Sequence, residues 1–152
     1  IAANPDAPED REEPAPGDVR LVITRQDGNT AAVLYRPRVK DFEGDPIVLK
    51  SPVDRESFDR IRVVSDEVDL QYREQNGSFR ATAAIPLELI GWEPQPASTV
   101  RMDLGYIFGN QNGSNAALRS YWANNSPEAN VTDDIPDESR LNPEHWGTAL
   151  VE

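Results

Sequence analysis

The sequence predicts an all-β protein, an antiparallel β-sandwich of jelly-roll type with short helical turns. Three observations predict it. Apolar side chains recur at every second position in run after run, the period of a half-buried strand. Turn-forming pairs, among them Asp27-Gly28, Asn76-Gly77 and Asn112-Gly113, separate those runs. No stretch carries the 3.6-residue periodicity of a long amphipathic helix. A chain of 152 residues with 38% hydrophobic side chains suits one domain around one core.

Residues 1–18 hold Pro5, Pro8, Pro14 and Pro16 among clustered acids, a composition expected to run as an extended acidic arm or loop. The module proper is expected over residues 19–152. Val19, Leu21 and Ile23 alternate with Arg20, Val22 and Thr24, and Ala31 to Tyr35 return after the Asp27-Gly28-Asn29 turn, which makes a hairpin. Ile47 to Leu49 is a short apolar run. Phe58 to Val64 reads as a strand, although Phe58, Ile61 and Val64 also fit a helical spacing. Val68, Leu70 and Tyr72 pair across Asn76-Gly77 with Phe79, Ala81, Ala83 and Ile85. Alternation predicts that this second set shares a core with Val19, Leu21 and Ile23. Pro86 to Gly91 suits a single helical turn ended by glycine. Val100, Met102, Leu104, Tyr106 and Phe108 read as one long strand, with Leu118 to Trp122 returning from the next turn. Pro136 to Leu141 suits a helical turn and Trp146 to Val151 a last strand.

Charge and composition exclude several functions. A formal net charge of −12 and a sequence pI near 4.5 give a mean field that repels phosphates and anionic lipid, so neither nucleic acid nor membrane insertion is expected. The absence of cysteine excludes disulfides, thiolate zinc and a cysteine nucleophile. The single histidine, His145, lies in a segment with no nucleophile-elbow pattern, so the chain is not expected to be an enzyme. Sequons at Asn76, Asn112, Asn124 and Asn130 matter where a host glycosylates secreted proteins.

Two segments could bind. Asp133, Asp134, Asp137 and Glu138 crowd four carboxylates into a short loop, which suits a hard oxygen-ligated cation such as calcium. The competing reading is that Asp133 or Asp134 caps the turn beginning at Pro136. Trp92, Trp122 and Trp146 are candidate platforms, because indole faces stack on the C–H patches of sugar rings; core packing is their alternative role. Extended geometry sets Trp122 and Asn124 on one face, with Arg119 reaching from the strand edge.

A series of motifs resembles a known family. Leu104-Gly105-Tyr106-Ile107-Phe108-Gly109-Asn110, Arg119-Ser120-Tyr121-Trp122-Ala123-Asn124-Asn125, Asp134-Ile135-Pro136-Asp137-Glu138 and Leu141-Asn142-Pro143-Glu144-His145-Trp146-Gly147 resemble the closing pattern of carbohydrate-binding modules of family 9 and their DOMON-like relatives. Gly17 to Val22, Ser51-Pro52 before Phe58-Asp59-Arg60-Ile61, and Ala84 to Gly91 look like that family's middle strands. The family's opening strands are missing, so a partial module completed by further strands or domains of a parent protein is expected. The resemblance implies a jelly-roll-like sandwich and an extracellular, periplasmic or cell-surface location. It also implies calcium in some members, and an oligo- or polysaccharide held on aromatic rings, with Trp122 in the matching Tyr-Trp motif. Some DOMON relatives bind haem b through methionine and a second axial ligand, which sets Met102 and His145 as the alternative; a purely structural or adhesive sandwich is a third reading.

Overall fold

The computed structural model describes residues 1–76, 78–112, 116–125 and 135–152, with the side chains of Gln26, Ile135 and Asp137 left aside. Among the described residues strand accounts for 45% and helix for about 10%, far below the helical third of an ordinary domain. The protein is all-β and every described ladder is antiparallel.

Strands β1 (Arg20–Gln26) and β2 (Asn29–Arg36) form the predicted hairpin. Gln26 pairs with Asn29, leaving a two-residue turn in which Asp27 and Gly28 have φ of 50° and 83°. Positive φ at both positions matches the right-handed twist of the flanking strands. On the far side β2 pairs with β5 (Arg60–Val63), giving a three-stranded sheet in the order β1-β2-β5. Leu21 faces Leu34 and Ile23 faces Ala32 across the ladder, so these four share one surface. Against that surface lie Val19, Val64, Val68, and Leu89 and Ile90 of α1 (Leu87–Ile90), with Ile85 and Trp92 packed at the margin. Helix α1 stops at Gly91, whose φ of 72° lets its N–H return to the Glu88 carbonyl.

The opposite surface of the sheet is also apolar. Tyr35 sits across from Ile61, and its ring meets Phe58 at 5.3 Å between centroids. The run expected as strand from Phe58 to Val64 is strand as far as Val63, and it divides at Asp59. That residue donates its N–H to the Pro37 carbonyl and accepts Val39 N–H on Oδ2 at 2.7 Å. Phe58 therefore ends β4 (Arg55–Phe58), which pairs with β3 (Ile47–Lys50), while Arg60 opens β5. The short helix α2 (Ile135–Ser139) packs on β3 and β4.

The hairpin of β6 (Asp69–Gln75) and β7 (Ser78–Ala84) keeps the predicted register, with Tyr72 opposite Ala81 and Arg73 opposite Arg80. Its expected place does not hold. Phe79, Ala81 and Ala83 are all exposed rather than buried with Val19, Leu21 and Ile23, and Ile85 alone of that set reaches the core cluster. Alternation fixes which residues share a face; it does not fix what covers that face.

The long strand expected from Val100 to Phe108 is two strands in two sheets. β8 (Thr99–Met102) pairs with β11 (Gly147–Leu150), and β9 (Gly105–Gly109) pairs with β10 (Ala116–Tyr121). Asp103 breaks the run by accepting its neighbour's N–H, that of Leu104, at 2.9 Å. Gly105 then passes beneath Tyr121, where a Cβ would meet the ring at 2.4 Å.

Residues 1–18 do not trail as an extended arm. Ala2 bridges Asp18, Ala2 N–H reaches the Arg101 carbonyl of β8, and Val19 N–H reaches the Ile1 carbonyl. Asp18 is fully buried, accepting Arg11 Nε at 2.9 Å and Ala15 N–H at 2.8 Å on the same Oδ2. A segment without enough apolar surface for a core is held by a buried ion pair and backbone bonds instead.

Candidate functional site

The candidate site forms where the loop after β10 crosses the start of β11. Trp122 N–H donates to the Leu104 carbonyl at 2.8 Å. The Asp103 carboxylate accepts Ala123 N–H at 2.8 Å on Oδ1 and Asn124 N–H at 3.3 Å on Oδ2. One carboxylate thus holds both ends of the Asp103–Leu104 and Trp122–Asn124 crossing. The same aspartate that divides the long strand shapes the loop that presents the tryptophan.

The indole of Trp122 is 54% exposed. Its edge lies against Gly147, where a Cβ would stand 2.9 Å from Cζ3 and 3.0 Å from Cη2. The glycine at the head of β11 is therefore a seat for the ring. Asn124 is half-buried on the same loop. β10 ends at Tyr121, so Trp122 and Asn124 both lie on the loop and not on the alternating face of a strand.

The other expected members are placed differently. Trp146 is half-buried, with the Arg11 guanidinium 5.6 Å from the centroid of its ring, a cation–π contact that occupies a face a sugar would need. Its carbonyl accepts Arg101 Nε at 3.0 Å, and Arg101 also donates to the carbonyls of Pro143 and Glu9. Trp92 is half-buried beside the core cluster under β1 and β2; its role is packing. Arg119, expected to read hydroxyl groups, has a side chain 7% exposed and paired with Glu138 of α2. A guanidinium so enclosed is a tether between β10 and α2.

That pairing also takes Glu138 out of the expected cation set. Asp133 and Asp134 lie outside the described residues, as does the side chain of Asp137. Among the described residues, no three histidine or acidic side chains converge as a metal site, and no helix is long and apolar enough to cross a membrane. Met102, the candidate axial ligand of the haem reading, is half-buried on β8 opposite Gly147. His145 lies in the turn just before β11, with Nε2 3.5 Å from Glu144 Oε1.

One aromatic cluster was not expected. Phe79 of β7 stacks on Tyr72 of β6 at 5.8 Å and on Tyr106 of β9 at 4.6 Å, and Phe108 meets Tyr106 edge-on at 4.5 Å. Arg25 of β1 lies 6.0 Å from the Tyr72 ring. Burial, then the neighbouring Tyr72, raises the Tyr106 phenol above its ordinary pKa. The strand alternation already put Tyr106 and Phe108 on one face; which hairpin would meet them was not in the pattern.

No family model, curated protein or solved structure matches the chain.

Proposed function

We propose that the protein is a non-catalytic carbohydrate-binding module whose ligand stacks on Trp122, with Asn124 hydrogen-bonding its hydroxyls. The observation that carries the reading is an indole more than half exposed, yet fixed by a loop that Asp103 ties down and seated on Gly147. A large apolar ring held rigidly in solvent is ready to bind without losing side-chain entropy. Sugar C–H faces supply the apolar contact and the asparagine amide supplies donor and acceptor. The motif series around Tyr121-Trp122 supports the same reading through its resemblance to family 9 modules, as does the secreted or cell-surface setting they imply. Calcium belongs to the proposal at Asp133, Asp134 and Asp137, with Glu138 removed because Arg119 holds it.

The test is calorimetric titration with gluco- and xylo-oligosaccharides. Trp122→Ala should weaken binding by about 2 kcal/mol, the loss typical of a buried aromatic anchor, with an unchanged circular dichroism spectrum. A folded variant that binds as tightly as the parent overturns the site. A Soret band in the purified protein favours haem at Met102 and His145 instead, and a parent that binds neither sugar nor haem favours a structural sandwich.

A further inference from the structure

The surface that carries the core on β1 and β2 changes character along the strands. Beyond Leu34 the next residue on that face of β2 is Arg36, and the β5 residues opposite Leu34 and Arg36 are Arg62 and Arg60. Together with Arg38 and Lys40 they line a cleft of about 800 Å³ whose other wall is Pro86, Glu88 and Leu89 around α1. Five cations there meet three acids, Asp6, Glu67 and Glu88, in a protein whose net charge is −12. The cleft is a positive island on an acidic molecule.

The cations are not spent on the fold in equal measure. Arg36 donates to the Leu89 carbonyl at 2.9 Å, and Arg62 pairs with Glu67 where both side chains are about half exposed, a pairing that is weak in water. The Arg60 guanidinium makes no hydrogen bond or ion pair among the described residues. It stands directly across the ladder from Arg36, a like-charge placement that destabilises a sheet. Burial, then the charges of Arg60 and Arg62, presses the Arg36 guanidinium below its ordinary pKa. An anion between these residues would relieve the repulsion.

We propose that this cleft binds a small ligand bearing two carboxylates, held by Arg60, Arg36 and Arg62. Guanidinium groups match planar carboxylates through paired N–H bonds. The volume suits a ligand of disaccharide size, and the exposed Pro86 offers apolar contact for its carbon skeleton. The acids on the rim and the acidic remainder of the surface oppose a long polyphosphate, so an acidic sugar or a free polycarboxylate fits and a nucleic acid does not. This site is separate from Trp122 and does not depend on sugar binding there.

The experiment titrates the full chain with digalacturonate, citrate, neutral cellobiose and a short single-stranded RNA, at low and high salt. Digalacturonate or citrate should bind at low salt and weaken as salt rises. Arg60→Ser should weaken that binding about tenfold, as expected for one lost charge-assisted contact, while the melting temperature holds or rises as the Arg36–Arg60 repulsion is removed. Arg62→Gln should shift affinity in the same direction. The tighter of the two carboxylate ligands identifies the source. Binding of neither, binding that survives Arg60→Ser, or RNA binding that exceeds both and disappears in Arg60→Ser overturns the proposal.

Discussion

Asp18 shows what a single buried charge demands. Its side chain is fully enclosed and that of Arg11 is 9% exposed, so the pair closes residues 1–18 into a loop with little competition from water. Arg11→Ala leaves the carboxylate buried without its partner, a change that costs about 3–5 kcal/mol. A lowered midpoint in chemical denaturation is the expected result; a midpoint within experimental error of the parent would show that water replaces the guanidinium. Gly147 poses a different demand, one of space. Gly147→Ala brings a methyl to 2.9 Å from both the Trp122 ring and Ala123 Cβ, which forces the indole off its seat. Changed tryptophan fluorescence with weakened sugar binding is expected, and an unshifted spectrum with intact affinity would show the ring does not need that seat.

At the scale of elements, short units are joined by a few side-chain ties. The hairpins β6–β7 and β9–β10 meet through Phe79, Tyr72, Tyr106 and Phe108, and α2 is clamped to the β3–β4 hairpin by Arg140. That arginine donates from Nε to Glu56 at 2.9 Å and also pairs with Asp54. The bond from Arg140 first, then the Arg55 N–H, holds the Asp54 carboxyl below its ordinary value of 3.8. A depressed carboxylate contributes stability above its unfolded pKa and loses it as pH falls through the folded one. Protection of the α2 amides against hydrogen exchange should therefore be constant above about pH 5 and decline below the ordinary carboxylate range, and Asp54→Asn should flatten that decline. The hairpins were legible because turn chemistry and alternation are local: β1 turns at Asp27-Gly28 as expected, and β6 returns as β7 with Gln75 opposite Ser78. The break at Asp103 was not legible, since a carboxylate that gathers N–H groups twenty residues away leaves no mark in a period-two pattern.

For the whole molecule the −12 charge and the exposed apolar residues act against each other. Val53, Val63, Leu104 and Leu150 are each more than 60% exposed, and the described sheets have open edges, both of which invite association. Mutual repulsion opposes it, and that repulsion is screened over about 8 Å at physiological ionic strength. Size-exclusion with light scattering should show a monomer at low salt and a concentration-dependent larger species at high salt. A monomer under all conditions would mean that the edges are protected by their own charged side chains.

The amino-acid pattern alone determined the all-β class, the two tight hairpins, the glycine-ended turn of α1 and the exclusion of cysteine chemistry, because each follows from residues within a few positions of one another. Tertiary structure decided how the candidate residues are used. Trp122, Trp146 and Trp92 are alike in sequence, yet one is presented to solvent, one is covered by Arg11 and one packs at the core margin. Arg119 and Glu138 answer each other instead of a sugar and a cation. Net charge forecast an anion-repelling protein, while the register of β2 on β5 gathers Arg36, Arg60 and Arg62 into one positive cleft. Composition averages charge over the surface, and pairing between distant strands sets where that charge lies.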